Sequence, residues 1–443
     1  MQEICETMEN LLKFITEHAE EDVSRLILQR DRYPDIDMDL VVNCIESRRK
    51  LKGKVQEWYD DPELIFPLKL SAEQCSSSAT GRYKSALAEA IALDGSDTDE
   101  RHSITESSGR ASWRIADLTG GLGVDSWFFS KKASQVLYNE MQEPLCNAAE
   151  HNFKILGAEN IIVSNQAVIP SGTSTTTDQT GTSPTALLKD FRPDIVYMDP
   201  ARRGEGGKKV FLIEECTPDV LTLKDEIFSL SRHILIKLSP MADVTMVCGR
   251  LGTCCREVHI VAAGGECKEL LIWMDRDWHG EYEVVTVELH NDGTAASFRF
   301  RPSEERSGRE GISASCQNGA YLFEPGKALM KAGAYNTISR HFGICKLGHS
   351  THYYITEDKE KTLELQNYGK VFRIIDCQPL DKRSMKSFGK EYPNADVTAR
   401  NIPMTSEMLR KKIGCKDGGS VHIFGLKSDS EGNILIAAER GIR

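Results

Sequence analysis

The run Arg114-Ile-Ala-Asp117-Leu-Thr119-Gly120-Gly121-Leu-Gly123 carries the most chemistry in this sequence. It reads as a strand that ends in an acid, turns through glycines and enters a helix at about Val124. Glycine lets a backbone come close to a ligand and take positive φ. Two nucleotide cofactors compete for such a turn. A dinucleotide needs G-x-G-x-x-G, with amides and a helix N-terminus free for pyrophosphate. Here Gly121-Leu-Gly123-Val-Asp125-Ser126 puts an acid inside the turn and Ser at the third glycine position. Asp117 and Asp125 would repel pyrophosphate, yet they suit the ammonium end of S-adenosylmethionine. The pattern favours that cofactor over NAD.

Two further features lie at strand ends. Glu140 follows the strand Gln135–Asn139, 19 residues beyond Gly121. An acid about 20 residues past the glycine turn can accept hydrogen bonds from both ribose hydroxyls. Alone it would be a solvated residue at a helix start; with the turn, ribose binding is expected. Asp199-Pro200-Ala201-Arg202-Arg203-Gly204 follows the apolar strand Ile195–Met198. Proline cannot continue a helix or donate a hydrogen bond, so the chain must turn over the carboxyl edge of the sheet. Open α/β sheets bind ligands at that edge. Asp199, Pro200 and Arg202 are therefore the candidate catalytic residues. Arg202 and Arg203 could grip a phosphate or carboxylate, or brace the loop by salt bridges, and the spacing leaves both open. The histidines are dispersed without ligand spacing, so no metal is expected.

The elements that must position these residues change character along the chain. Residues 1 to about 93 have helical spacing: Leu11, Leu12 and Ile15, then Val23, Leu26 and Ile27, then Leu40, Val41, Cys44 and Ile45. Ser71-Ala-Glu-Gln74 has capping-box spacing ahead of the helical run Tyr83–Leu93. A polar linker, 94–109, precedes a series of short apolar strands separated by helices. Strands are expected at Arg114–Leu118, Gln135–Asn139, Ile161–Asn165, Ile195–Met198, Ile234–Leu238 and Glu257–Ala262. A last one, Leu270–Met274, returns after Gly264-Gly265. That alternation implies a parallel sheet covered by helices. The insert 171–185 is low in complexity and reads as a mobile loop.

Beyond Trp278 the texture becomes alternating, with His290-Asn-Asp-Gly293 as a hairpin turn. The polar stretch Arg301–Ser313 closes this β-rich module. The final part mixes helices (Gly326–Ala334, Ser406–Ile413) with strands (Val371–Ile375, Ser420–Leu426, Asn433–Ala437). The expected fold is α/β: a Rossmann-like sheet (106–276) between a helical N-terminal domain (1–105) and two C-terminal domains, one small and β-rich (277–318), one α+β (319–443).

At 443 residues, two to four units are expected. The formal net charge of −11 excludes a protein that coats nucleic acid through bulk charge. The charge is unevenly placed, however: residues 319–443 hold 20 Lys and Arg against 14 Asp and Glu. The acidic N-terminus lacks the basic leader of a signal peptide, no apolar run is long enough to span a membrane, and 13 cysteines have no CxxC spacing. A cytoplasmic protein with reduced thiols fits these features.

From Ala111 to Asp275 the three motifs, in this order, resemble class I S-adenosylmethionine-dependent methyltransferases. The resemblance implies that Asp117, Thr119, Gly121 and Gly123 line the methionine end, Glu140 the ribose, and Asn165-Gln166 the adenine, where the family more often shows an acid. Asp199-Pro200 matches its Asp/Asn-Pro-Pro motif, with Ala201 for the second proline and Arg202 where amine methylases carry an aromatic. N6-adenine methylation is not expected, nor a covalent cysteine mechanism, because Lys237-Leu-Ser239-Pro240 replaces the nucleophile after the fifth strand.

The whole layout is similar to bacterial methyltransferases with a C-terminal THUMP-like domain. Ser71-Ala-Glu-Gln74, the Asp117–Asp125 run, Asp199–Arg203 and Lys237-Leu-Ser-Pro carry that likeness. So do Phe323-Glu-Pro325, Lys331-Ala-Gly333 and Asn401-Ile-Pro403 with Leu409-Arg-Lys-Lys412. THUMP domains bind tRNA ends, so the resemblance implies an RNA substrate; no membrane partner is expected, because no apolar run is long enough to span one. The basic runs Lys382-Arg383 and Arg410-Lys411-Lys412 could be an RNA surface or a solvated face. Two other readings stay open: an RNA-binding protein that has lost catalysis, and a methyltransferase of small molecules.

Overall fold

The computed structural model describes residues 2–94, 112–171, 181–202, 212–307 and 315–440. Most of the 94–109 linker, the middle of the 171–185 insert, Arg203-Gly204 and the end of the 301–313 stretch lie outside the described residues. The chain divides into two units, Met1–Arg256 with Leu270–Gly280, and Glu257–Glu269 with Glu281–Arg443.

The first unit opens with α1 (Gln2–Glu17), α2 (Val23–Leu28), α3 (Met38–Leu51), α4 (Gln56–Tyr59), α5 (Lys69–Gln74) and α6 (Ser78–Leu93). Asp22 and Asp37 cap α2 and α3 through first-turn N–H groups. The capping box of α6 is Ser77 with Thr80, and not Ser71 with Gln74 as spacing predicts. Ser71 is already inside α5, its own N–H bonded to the Leu68 carbonyl, whereas Ser77 meets the unbonded N–H groups that open α6.

Then come β1 (Arg114–Asp117), α7 (Val124–Ser130), β2 (Gln135–Asn139), α8 (Glu143–Ile155) and β3 (Ile161–Ser164). A short pair, β4 (Ala167–Val168) and β5 (Gly181–Thr182), leads to α9 (Pro184–Leu188) and β6 (Ile195–Met198). A second short pair, β7 (Ala201–Arg202) and β8 (Cys216–Thr217), precedes α10 (Val220–Phe228), β9 (His233–Leu238) and α11 (Val244–Leu251). The sheet runs β9-β6-β1-β2-β3, all parallel. β10 (Cys255–Ala263) and β11 (Glu266–Asp275) carry the chain across the boundary between units, and Leu270–Asp275 returns antiparallel to β9.

All four residues of β6 are buried, as a parallel strand covered on both faces requires. The α/β class read from the alternation of strands and helices is the fold observed. Because β1 lies between β2 and β6, the strand order reverses at its carboxyl end and leaves a crevice there.

The N-terminal helices share a core with the sheet's own helices. Trp58 and Phe66 pack with Trp127 of α7 and Phe153 of α8, and Leu11, Phe14, Val41 and Ile45 form a second cluster with Ala148. Arg256 ties the two ends of the unit together. Its guanidinium pairs with Asp94 at the end of α6 and, at 2.9 Å, with Asp275 of β11, and it covers the Trp273 ring at 4.2 Å.

In the second unit β12 (Glu283–Leu289) and β13 (Ala295–Phe300) form the expected hairpin, with Gly293 at φ +86° in the turn. The polar stretch after it is not all loop: its first part is α12 (Pro302–Ser307). There Glu305 accepts the opening N–H groups of a later helix from Asn336 and Thr337. The rest is β14 (Tyr321–Pro325), α13 (Lys327–Ala332), α14 (Tyr335–Phe342), β15 (Cys345–Lys346), β16 (Tyr354–Thr356), α15 (Lys359–Leu365) and β17 (Gly369–Pro379). It ends with α16 (Lys382–Glu391), β18 (Asn394–Arg400), α17 (Ser406–Ile413), β19 (Lys416–Ser428) and β20 (Gly432–Arg440).

Seven strands pair in the order β15-β16-β14-β17-β20-β19-β18. Alternation along β20 sends Ile434 and Ile436 to one core and Leu435 and Ala437 to another, under α16 and α17. Those two helices meet so closely that a Cβ on Gly389 would sit 1.9 Å from the Ile413 carbonyl oxygen. Only glycine fits there.

Candidate functional site

β1 delivers Asp117 to the crevice, and the chain at once turns back under it. One Asp117 oxygen accepts the Thr119 N–H at 3.0 Å, the other the Ser126 hydroxyl at 2.7 Å. The side chain is 1% exposed. Burial pushes its carboxyl up to about 7; those two donors pull it down, and Asp125 and Asp199 add to the rise. The turn is riveted to β2: the Gly120 N–H donates to the Asn139 carbonyl at 2.8 Å, and the Tyr138 hydroxyl to the Gly121 carbonyl at 2.6 Å.

Gly121 and Gly123 both need positive φ, +55° and +92°. They differ in surroundings. A Cβ on Gly123 would lie 2.8 Å from the Phe153 ring, whereas one on Gly121 would meet nothing nearer than the Thr119 carbonyl at 3.9 Å.

Glu140, at the end of β2, is not a solvated helix-start residue: it is 7% exposed. One carboxylate oxygen accepts the Gly121 N–H at 2.9 Å and the other the Gln142 N–H at 2.8 Å. It therefore braces the glycine turn and faces the cavity at once. Asn165 has a structural part, its amide donating to the Glu140 carbonyl at 2.7 Å. Gln166 offers its carbonyl to Asn139 at 2.9 Å and is exposed beside the cavity.

Asp199 stands at the end of β6. Its N–H donates to the Thr119 hydroxyl at 2.6 Å, so Thr119 links the glycine turn to the Asp-Pro segment. Its carboxylate holds the ammonium of Lys237, which β9 brings alongside. Pro200 is buried behind this edge and takes no part in the cavity wall. The backbone of Arg202 pairs with Cys216, but its side chain lies outside the described residues.

These groups line one cavity of about 290 Å³, near the lower end of the roughly 300–1,000 Å³ usual for ligand sites. Asp117, Thr119, Gly121, Gly123, Glu140, Gln166 and Asp199 all reach it, with Met141, Val168 and Ile169 as apolar wall.

One side comes from a part of the chain that sequence reasoning read as a capping box and gave no place in the site: Ser71 and Gln74 of α5, with Cys75 and Ser76 after it. Behind them Lys84 of α6 is fully buried. Its ammonium donates to the Ser76 hydroxyl at 2.8 Å and lies 3.3 Å from Asp125, which also accepts Ser76 at 2.9 Å and Tyr197 at 2.8 Å. Burial alone would raise the Asp125 carboxyl, but Lys84 and Lys237, with the Tyr197 and Ser76 hydroxyls, together outweigh it and hold it low. The sole advance sign of this network was Asp125 inside the glycine turn.

The residues present fit S-adenosylmethionine. Asp117, Asp125, Asp199 and Glu140 outnumber Lys84 and Lys237 around the cavity, which suits a cation. Gly121 leaves room, Glu140 offers carboxylate lone pairs, and the apolar wall can take a purine.

Comparison with known proteins adds the following. Residues 321–362 match a ferredoxin-like domain family and residues 369–440 a THUMP domain-like family. No curated protein matches the chain. Over 98% of its length it is similar to 98% of a crystal structure of a candidate methyltransferase from Porphyromonas gingivalis W83, at 28% identity and a TM-score of 0.79. A methyltransferase from Geobacter sulfurreducens matches 45% of this chain over 81% of its own, at 14% identity and a TM-score of 0.27. An rRNA methylase from Streptococcus thermophilus matches 43% over 93%, at 11% and 0.26. The last two scores are too low to carry an argument. The chain has a class I methyltransferase fold and, in its second unit, a THUMP-like domain.

Proposed function

We propose that this chain is an S-adenosylmethionine-dependent methyltransferase acting on RNA, in the cytoplasm. The observation that carries the reading is the Glu140 carboxylate, bonded to the Gly121 N–H at the mouth of the strand crossover and facing the same cavity as Asp117 and Asp199. In this reading residues 106–276 hold the cofactor. Glu140 accepts the ribose hydroxyls, Gln166 lies by the adenine, and Asp117, Thr119, Gly121 and Gly123 surround the methionine end. When bound, the cofactor supplies a methyl group already activated by its sulfonium. The chain then needs chiefly to orient the acceptor in line with it. Asp199 serves that purpose at the edge of β6, while Pro200, buried behind it, only turns the chain there.

Two features support RNA as the substrate: the THUMP domain-like match and the positive balance of residues 319–443. A cytoplasmic setting is supported by the cysteines, all free among the described residues. No described helix is long and apolar enough to cross a membrane.

Calorimetry with S-adenosylmethionine and with NAD tests the first half of the reading. Binding of the former alone is expected, and its loss in Gly121→Val, whose added side chain would enter the open space above the turn. Transfer of labelled methyl to total RNA, and not to small metabolites, tests the second half. Cofactor binding without any transfer would point to a binding protein.

A further inference from the structure

We infer that the methyl acceptor is a ring lactam nitrogen of an RNA base, N1 of guanine or N3 of uracil, and that Asp199 and Lys237 act on it as a pair. This rests on the proposed function and narrows it to one class of acceptor atom. Met198 of β6 is in register with Ile236 of β9, so the next residue of each strand reaches the sheet's carboxyl edge side by side. There the Lys237 ammonium touches one Asp199 oxygen. Both line the cavity, with the Lys237 side chain 11% exposed and that of Asp199 39%.

The chemistry of each kind of acceptor decides which one this pair suits. A lactam nitrogen has no pair to offer until its N–H proton leaves, and the resulting charge spreads onto the neighbouring carbonyl oxygen. It therefore needs a proton acceptor and a cation next to each other. A carboxylate and an adjoining ammonium present them. An exocyclic amine needs neither before attack, and a cation against its ring would withdraw density from it.

A ring carbon would need a thiolate. Cys75 does line the cavity, but burial pushes its thiol up and it donates to the Ala72 carbonyl at 3.3 Å. A buried thiol with a raised pKa is not the nucleophile.

The step balances. The lactam proton passes to the Asp199 carboxylate while Lys237 holds the carbonyl oxygen. The nitrogen pair left behind forms the new bond to the methyl carbon, whose bond to sulfur breaks with its electrons to sulfur, leaving a neutral thioether. Asp199 returns its proton to water.

The test uses the full chain, S-adenosylmethionine and total RNA from cells that lack the protein, with methylated nucleosides identified by mass spectrometry. The expected product is 1-methylguanosine or 3-methyluridine. Asp199→Asn and Lys237→Met should cut its rate by about 10²–10⁴-fold, the usual share of general acid–base catalysis, and Lys237→Arg should restore part. Calorimetry on the same variants should show S-adenosylmethionine still bound, its affinity changed far less than the rate, separating this role from a merely structural one.

Methyl on an exocyclic amine or on C5 overturns the inference and leaves the proposed function standing. Label in protein or metabolites with none in RNA overturns both. Loss of cofactor affinity in both Asp199→Asn and Lys237→Met also overturns it, because the pair would then belong to the cofactor site.

Discussion

Glu140→Ala separates the brace that the side chain forms from its proposed contact with the ribose. The first is bracing: it leaves the N–H groups of Gly121 and Gln142 without acceptors, each at a cost of about 1–3 kcal/mol where water cannot replace the carboxylate. The two costs do not simply add, so about 2–4 kcal/mol is reasonable, which lowers Tm by roughly 5–15 °C in a unit of this size. The second, proposed role is ribose recognition through a charged acceptor, whose loss should cost about 1.5–3 kcal/mol, or roughly a 10–150-fold rise in Kd.

Glu140→Gln is the informative companion. Its amide oxygen can still accept one N–H, but its NH2 faces the other donor, so intermediate losses on both scales are expected. Circular dichroism melting without ligand reads the first role, and calorimetry well below the lower Tm reads the second. A lowered Tm with an unchanged Kd would show Glu140 to be a brace alone and refute ribose binding. A Tm equal to wild type would contradict the bonds at 2.9 and 2.8 Å.

Further outcomes follow from other residues. Asp117, its carboxyl raised to about 7 by burial and by Asp125 and Asp199, should make S-adenosylmethionine affinity climb as pH rises through 7 and level off above; Asp117→Asn should flatten that profile in calorimetry. Because its folded value lies above the unfolded one, its contribution to the stability of the ligand-free protein is present below about pH 4 and lost as pH rises to about 7. Lys84→Met strands Asp125 as a buried charge and should cost about 3–5 kcal/mol in urea unfolding at neutral pH. The added Asp125→Asn should recover part of it, and no recovery would show that the pair is not coupled. Gly389→Ala should destabilise the second unit by about 1–3 kcal/mol in the same assay, since backbone opposes its Cβ. Replacing Arg410, Lys411 and Lys412 with Ala should lower the salt dependence of RNA binding by about 0.7 for each phosphate no longer neutralised, with cofactor affinity intact. Identical slopes would exclude that cluster, where Arg410 already pairs with Asp417 and Lys411 with Glu407.

Local features were the legible ones. The strand–acid–glycine run, the acid after β2 and the Asp-Pro corner each lie within a few residues, and backbone geometry dictates their residue types. The helix α17 and the hairpin at Gly293 were readable for the same reason. Pairings over long separations were not. Lys84 sits in an ordinary helical run, and lysine is so rarely buried that nothing marks it as the partner of Asp125. Lys237 stood in a recognised motif, but its pairing with Asp199 depends on two strands 38 residues apart lying side by side. Glu140 was found for its reach towards a ligand, while its grip on Gly121 needed the turn in three dimensions. The capping box was misplaced because Ser71 and Ser77 look alike until the break after Gln74 is seen.

The clasp at Arg256 has a consequence for how the protein is born. The Arg256–Asp94 pair is completed by Asp275, which Arg256 also holds, on a strand made after the chain has already visited the other unit. A nascent chain can assemble the strands β1, β2, β3, β6 and β9, but the flank of β9 stays open to solvent and to other chains until Leu270–Asp275 leaves the ribosome. For that interval β9 is an unpaired edge of His-Ile-Leu-Ile-Lys-Leu, the kind of strand that invites wrong partners. The slower the ribosome passes residues 257–280, the longer that edge stays exposed.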